Sequence, residues 1–228
     1  MDQAALHARG STVALLRARI GERGLGATLA KAWGDHVFRH SVSVIVEYRR
    51  AWGGRHTHPT PRPGQSFVTV RDAKVLPALC RFLAHRADDF ARMADAGKVG
   101  LFVLDHGVAV GCVWLALSDH HDPAARELYR VAPGEAYHYC WLVAPDQRAG
   151  ASMALCRYVM AVTAEMGITR QYGVVDRVNT ASYRVQMHYG YRECGLLVRH
   201  FYVLGTRWTR MGRYRGTLGL ANAAAKRR

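Results

Sequence analysis

The chain has 228 residues, of which 50% are hydrophobic and 21% are charged. That length predicts one domain with a short extension, and the apolar fraction excludes a disordered chain. The formal net charge is +15, from 32 basic and 17 acidic residues, and only four of the basic residues are lysines. The arginine excess fits either a GC-rich genome or a partner rich in phosphate or carboxylate.

Signals for membrane insertion, export and disulfide scaffolds are missing from the sequence. There is no apolar run of about 18 residues, as a membrane span needs. The first residues lack the basic-then-apolar order of a secretory signal. The five cysteines are widely spaced and form no C-x-x-C pair. These features predict a cytoplasmic protein with reduced thiols and no membrane span.

The first half of the chain predicts helices followed by a hairpin. Apolar positions at helical spacing in residues 11–33 predict two short helices, which the glycines between them separate. The Val- and Ile-rich segment 40–48 predicts a strand, and the proline-rich segment 53–65 predicts an exposed loop. Residues 72–94 predict a helix. Residues 99–104 and 108–117, joined by the turn Asp105-His106-Gly107, predict two paired strands.

The second half predicts alternating strands and helices. Residues 118–134 predict a loop with a short helix at 124–129. The predicted strands are 137–143, 172–175, 191–194 and 197–204, the predicted helices are 151–166 and 179–189, and 144–150 is a loop. Asn179 is the start signal of the second helix, and Gly190 ends it. Residues from 208 onward predict a basic, weakly ordered tail.

Two clusters contain metal-binding residue types, and neither predicts a metal site. His56 and His58 lie in the proline-rich loop, where surface histidines are common. Asp119, His120, His121 and Asp122 are consecutive, so their side chains do not share one face of a helix or strand. We therefore predict no metal.

The segment from Leu142 to Leu155 carries the first chemical signal. A buried strand ending at Leu142 and Val143 leads into a tight loop and then a helix whose first turn holds small residues. Such a turn exposes free backbone N–H groups beside the positive end of the helix dipole, which suits a pyrophosphate. Arg148 adds a candidate ionic contact. The candidate residues of this loop are Gln147, Arg148, Ala149, Gly150, Ala151 and Ser152.

Two linked motifs resemble the GNAT superfamily of acyl-CoA-dependent N-acyltransferases. The first is Q/R-x-x-G-x-G/A after a strand ending in V-x-P, present here as Gln147-x-x-Gly150-x-Ser152 after Val143-x-Pro145. The second is an Asn with a small residue three later and a Gly-aromatic pair further on, present as Asn179, Ser182, Gly190 and Tyr191. The resemblance covers about residues 35–205.

The resemblance implies an α/β fold of the α+β kind, with a mixed, strongly twisted sheet flanked by helices. Two central strands would splay apart and hold the pantetheine arm of acetyl-CoA, which is the implied cosubstrate. Backbone groups near Leu142 and Val143 would pair with the arm. Asn179 and Ser182 would face the cofactor from the next helix.

The sequence departs from the family pattern in three places. The loop after Pro145 is one residue shorter than the usual form, and Ser152 replaces the usual Gly or Ala. Gln186 stands where many members carry a tyrosine that protonates the leaving thiolate. A glutamine amide can hydrogen-bond the thiolate but is not an acid near neutral pH. Tyr183, on nearly the same helical face, is a candidate substitute, with packing as the alternative role.

The attacking amine must be neutral, so a general base is expected near the strand before the pyrophosphate loop. Glu135 lies close to the position from which relatives supply a glutamate, and His138 titrates in a useful range. Alternation places Tyr137, Tyr139 and Trp141 on one face of that strand and His138, Cys140 and Leu142 on the other. Cys140 is an alternative acyl-accepting nucleophile.

The sequence thus predicts a helical extension at 1–34, a GNAT-like domain at 35–205 and a basic tail at 206–228. The predicted function is transfer of an acetyl or other short acyl group to a primary amine of a small molecule or protein. The open alternatives are a catalytically weak binding module and an acyltransferase for an RNA-linked or carrier-protein-linked substrate. The arginines are scattered, with no aromatic-basic nucleic-acid motif. A homodimer is also open.

Overall fold

A computed structural model describes residues 24–52, 57–122, 127–203, 206–211 and 219–222. The helices and strands, in chain order, are α1 Leu25–His36, β1 Phe38–Arg49, β2 Gln65–Val70, β3 Ala78–Leu79, α2 Arg81–Ala84, α3 Ala87–Asp95, β4 Val99–Asp105, β5 Val108–Ala116, β6 His120–Asp122, β7 Glu127–Arg130, β8 Glu135–Val143, α4 Arg148–Glu165, β9 Arg170–Asp176, α5 Thr180–His188, β10 Arg192–Val203, β11 Thr206–Met211 and β12 Gly219–Asn222. No described helix is long and apolar enough to cross a membrane.

A nine-stranded mixed sheet organises the fold, in the order β11-β10-β1-β9-β8-β5-β4-β2, with β3 paired to β5. Its pairs are antiparallel except β8 with β9 and β3 with β5. A second sheet holds β12, β7 and β6. The sheets with their flanking helices confirm the predicted α/β fold class.

Helices cover the large sheet on both faces. On one face, Leu155 and Val159 of α4 pack on strand residues such as Leu101 and Leu115. On the other face, Phe90 of α3 packs on strand aromatics that include Trp114. Burying these apolar surfaces is the main stabilising contribution, and it fixes α4 against β4, β5 and β8.

Several predicted elements of the first half differ from the structure. The helix predicted over 72–94 is wrong, because Pro77 lacks the N–H group that a helix interior needs. A 3₁₀ turn at Ala73–Val75, then β3, α2 and α3, replace it. The strand β2 was not predicted. It begins at the last residue of the predicted loop and continues beyond it. Of the two helices predicted over 11–33, α1 covers the later part, and residues 1–23 lie outside the described part of the chain.

The second half also contains strands that were not predicted. The helix predicted at 124–129 is wrong where the chain is described, because β7 begins at Glu127 and pairs with β6. The two strands predicted at 191–194 and 197–204 form one strand, β10. The residues predicted as a weakly ordered tail include β11, which pairs with β10, and β12, which pairs with β7. The proposed domain boundaries stay predictions.

The strands β8 and β9 pair over four residues and then separate. Their parallel register runs from Glu135 and Arg170 to His138 and Gly173. Beyond that point β8 continues to Val143 and β9 to Asp176 without pairing to each other. The resemblance implied such a separation of two central strands.

The imidazole ring of His138 lies at the point of separation. A Cβ atom built on Gly173 would lie 2.0 Å from Cε1 of His138. The histidine is only 4% exposed. Its ring forms edge-to-face contacts with the rings of Trp141 and Tyr191, at centroid distances of 5.6 and 5.3 Å. The close approach of ring and backbone therefore requires glycine at position 173.

We expect Gly173→Ala to lower the free energy of unfolding by about 1–3 kcal/mol, because the added methyl group overlaps a ring that has no room to move. Denaturant unfolding measures the change. Gly26→Ala is the matched control, since nothing lies within 4 Å of a Cβ atom at that position. In the His138→Ala background the cost of Gly173→Ala is expected to vanish. An equal cost in both backgrounds would contradict the contact.

Candidate functional site

A bulge in β8 at Cys140 reorients the strand beside the separation. Tyr139 and Leu142 pair with Trp114 and Cys112 of β5, so two residues of β8 lie opposite one residue of β5. Cys140 has a φ of 52°, which is uncommon for a residue other than glycine. The extra residue bends the strand and interrupts its alternation.

The bulge overturns the predicted assignment of Trp141 to a face. Alternation placed Trp141 with Tyr137 and Tyr139. In the structure its ring instead contacts His138, and Trp141 packs with the core under α4. Tyr137 and Tyr139 stay together, with nearly parallel rings 5.9 Å apart. One inserted residue is enough to move every later side chain to the opposite face.

A cleft of about 500 Å³ opens beside the separated strands. Its walls come from the end of β8, the first turn of α4, the first turns of α5 and one residue of α2. Residues from both motifs identified in the sequence therefore meet in one cavity. The lining residues are Phe82, Trp141, Leu142, Val143, Arg148, Ser152, Met153, Asn179, Ala181, Ser182, Val185 and Gln186.

The predicted pyrophosphate loop forms the start of α4, and its residues face different ways. A 3₁₀ turn at Pro145–Gln147 precedes the helix, so α4 begins at Arg148 and not at the predicted residue 151. Arg148 and Ser152 line the cleft, whereas Ala151 is buried in the core. Gly150 faces a neighbouring cavity. Gln147 is the residue before the helix, and Ala149 contributes backbone to the first turn.

The start of α4 has no acidic residue in its first turn and no side-chain cap. Its first N–H groups have no partners within the helix, and the dipole places positive potential there. Arg148 adds a full positive charge at the mouth of the cleft. The site is therefore chemically suited to an anion such as a diphosphate.

The opposite wall of the cleft is the start of α5, which Asn179 caps as the sequence predicted. Its Oδ1 accepts a hydrogen bond of 3.2 Å from the backbone N–H of Ser182. The Ser182 hydroxyl accepts a 3.1 Å bond from Nε2 of Gln186. All three residues line the cleft.

Gln186 is 3% exposed, and its Oε1 has no hydrogen-bond partner within the described residues. A buried amide oxygen without a donor costs free energy, typically about 1–3 kcal/mol. A ligand that brings an N–H or S–H group into the cleft would remove this cost. Gln186 is thus a polar residue of the cleft wall with an unsatisfied hydrogen-bond acceptor.

The candidate base Glu135 lies at the start of β8 and does not line the cleft. Its Oε1 accepts a 3.2 Å bond from the Tyr172 hydroxyl and lies 3.5 Å from Nη1 of Arg170. Its Oε2 accepts a bond from the backbone N–H of Ala132. These contacts tie β8 to β9, so the geometry favours a structural role for this carboxylate.

The candidate base His138 lies behind Trp141, at the closed end of the separation. Its Nε2 is buried without a hydrogen-bond partner among the described residues. Burial lowers the pKa of His138 to about 3, so the ring is neutral near pH 7. A neutral ring with such a low pKa accepts a hydrogen bond but is a weak base.

The candidate acid Tyr183 turns away from the cleft. Its hydroxyl donates a 2.8 Å bond to Oε1 of Glu193 on β10, and its ring packs in the cluster around Tyr191. That hydrogen bond raises the pKa of the Tyr183 hydroxyl, which makes it a poorer acid. The geometry therefore favours the alternative role, packing.

The sequence missed part of the cleft. Phe82 comes from a segment distant along the chain, and no local signal connects it with β8. Ala181 and Val185 lie four positions apart on the predicted helix and so share one face, next to the face of Ser182 and Gln186. Met153, which also lines the cleft, directly follows Ser152 in α4. No group of three His, Cys, Asp or Glu side chains suited to a metal ion occurs in the described residues.

Comparison with known proteins gave structural matches only. No family model matches the chain, and no curated protein matches its sequence. A solved Drosophila protein matches 82% of this chain at 9% identity, with a TM-score of 0.53. GCN5-related N-acetyltransferases from Kribbella flavida and Sphaerobacter thermophilus match 78% and 79% of it, at 14% and 15% identity and TM-scores of 0.45.

The chain spans 58%, 63% and 57% of the lengths of these three solved chains. At such identities the similarity concerns the fold alone. The activity has to be inferred from the residues that line the cleft.

We expect His138 to make folding stability depend on pH. The unfolded chain binds a proton on this histidine below its ordinary pKa of 6.5, whereas the native protein binds it only near pH 3. Stability therefore falls as pH is lowered from about 6.5 to 3, by about 1.4 kcal/mol per pH unit from this group. In urea unfolding between pH 4.5 and 6.5, the free energy of unfolding should depend less on pH in His138→Asn, by the contribution of one bound proton. Equal slopes in both proteins would contradict a buried neutral ring.

Proposed function

We propose that the protein is an N-acyltransferase that transfers an acetyl or other short acyl group from acyl-CoA to a primary amine. One observation supports this proposal: Ser152 of the first motif and Asn179 and Ser182 of the second line a single cleft beside the separation of β8 and β9. The cleft combines an elongated apolar wall with an anion-binding helix start, as a molecule with an acyl arm and a diphosphate requires.

The gap between β8 and β9 suits the pantetheine arm. Leu142 and Val143 pair with β5 on one side, and β9 has already separated on the other. Backbone groups that point into the gap therefore need partners. The two amides of pantetheine can supply them, in the manner of an added short strand. Trp141 and Phe82 would contact the apolar parts of the arm.

The diphosphate is proposed to lie at the start of α4. The free N–H groups at the start of α4 would donate to it, and the small side chain of Ser152 leaves room for it in the cleft. Arg148 would add an ionic contact. Asn179 and Ser182 would border the cofactor from α5.

In the proposed reaction a neutral amine nitrogen attacks the thioester carbonyl carbon. The C–N bond forms, the C–S bond breaks, and CoA leaves as a thiolate while the new ammonium proton passes to solvent. Gln186 is proposed to meet the thioester end of the cofactor. No carboxylate, histidine or tyrosine lines the cleft among the described residues. The amine would therefore arrive already neutral, and His138 would act through Trp141 as a positioning residue.

A catalytically weak binding module is the second candidate. The same absence of a titratable base or acid from the described lining favours it. Thioester cleavage with a panel of amines distinguishes the two, because a binding module gives acyl-CoA affinity without turnover.

The five cysteines are unpaired in the structure, which supports the proposal of a reducing, cytoplasmic compartment.

We expect Ser152→Glu to weaken acetyl-CoA binding by about tenfold or more, because the new carboxylate would repel the diphosphate at the helix start. Isothermal titration calorimetry measures the dissociation constant. Ser118→Glu is the matched control, since Ser118 is an exposed residue after β5 that does not line the cleft. Equal affinities of wild type and Ser152→Glu, or no binding by wild type, would contradict the proposal.

We expect the acidic limb of the kcat/KM profile to follow the pKa of the acceptor amine, because protonation of the amine removes the nucleophile. The limb should move when the amine is exchanged for one of lower pKa. It should also persist in His138→Asn, even where kcat falls. Loss of the limb in that variant would instead identify His138 as the base.

A further inference from the structure

A second cavity adjoins the cleft across Met153, which lines both. It has a volume of about 460 Å³ and lies between α4, the end of α5 and the segment 57–64. Its residues are Pro59, Thr60, Arg62, Gln65, Gly150, Met153, Ala154, Arg157, His188 and Tyr189. Neither sequence motif points to this cavity, apart from Gly150.

The second cavity is positively charged and lacks carboxylates. Arg62 and Arg157 line it, and no Asp or Glu does within the described residues. Other arginines of the protein, such as Arg86 beside Asp89, lie in ion pairs. The described residues offer no such acidic partner to Arg62 or Arg157. Two arginines that share a cavity without a counter-charge favour an anionic occupant.

Arg62 also lies against the start of α4, where a cation is unfavourable. A Cβ atom built on Gly150 would lie 2.7 Å from Nη1 of Arg62, so the guanidinium packs directly on the first turn of the helix. The helix dipole is positive there, and Arg148 is in the same turn. Asp146 in the preceding turn forms no ion pair with the described residues. The arrangement becomes favourable when an anion joins it.

The segment that carries Arg62 is held in place. Nε2 of His58 lies 2.6 Å from Oε1 of Glu165 at the end of α4. At the other end of the segment, the Gly64 carbonyl accepts a 2.7 Å bond from the backbone N–H of His106. Three prolines further restrict the segment. Arg62 is thus positioned before any ligand binds, which reduces the entropic cost of binding.

We propose that this cavity binds the phosphate monoester on the ribose of CoA, with Arg62 and Arg157 as its ligands. The inference rests on the proposed function. A diphosphate at the start of α4 lies beside both cavities, so the nucleotide end of the cofactor can pass Met153 and enter the second one. The monoester carries close to two negative charges at neutral pH, as two arginines require. The cavity then selects CoA over its dephosphorylated form.

Isothermal titration with CoA and with dephospho-CoA tests the proposal on the full chain. Wild type is expected to bind CoA at least about tenfold more tightly than dephospho-CoA. Arg62→Gln and Arg157→Gln should each weaken CoA binding severalfold more than they weaken dephospho-CoA binding. Arg71→Gln is the control, because Arg71 is exposed after β2 and lies outside the cavity, and its substitution removes the same charge. Thermal unfolding verifies that each variant is folded.

The outcomes separate this inference from the proposed function. Equal affinities of wild type for CoA and dephospho-CoA would overturn the inference alone. Arginine variants that weaken both ligands equally would also overturn it, because the side chains would then contact the diphosphate. If wild type binds neither ligand, the proposed function fails. Selectivity for CoA that both variants abolish and Arg71→Gln keeps would establish the site.

Discussion

The separation of β8 and β9 begins at the contact between the His138 ring and the backbone of Gly173. Up to this pair β8 and β9 share hydrogen bonds, and beyond it they diverge. The ring fills the closed end of the gap, and the bulge at Cys140 then turns Trp141 toward the same end. An unpaired strand edge in the middle of a sheet is costly, because its backbone groups lose their partners. The molecule maintains that edge by packing, and a ligand in the gap would supply the missing hydrogen bonds.

Charge at the start of α4 creates a complementary requirement. Arg62 and Arg148 add positive charge where the helix dipole is already positive, and the first turn contains no acid. This arrangement opposes local stability but favours an anion. The gap needs hydrogen-bonding amides, and the helix start needs negative charge. A single molecule that joins amides to phosphates meets both requirements, which makes CoA a better fit than two separate ligands.

Local signals in the sequence predicted both ends of α5. Asn179 was predicted to begin α5 and Gly190 to follow it, and the structure shows the cap and a φ of 84° at the glycine. The bulge was not predictable, because a positive φ at Cys140 arises from strand pairing and has no residue-type signal. Arg62 was not predictable as a neighbour of Gly150, because the contact joins segments far apart in the chain. Phe82 was not predicted as a cleft residue for the same reason, because it lies far along the chain from β8 and α5.

In the proposed acyl transfer, a glutamine at position 186 in place of an acidic side chain has a limited chemical cost. A thiol has an ordinary pKa of about 8.5, so a thiolate leaves near neutral pH without being fully protonated in the same step. An acid catalyst therefore contributes less here than it would for an alkoxide leaving group. Gln186 keeps a buried oxygen and an amide fixed to Ser182, which suits orientation of the thioester more than proton transfer. In the proposed reaction Gln186 would thus affect how the thioester is oriented, while attack by a neutral amine would remain chemically sufficient.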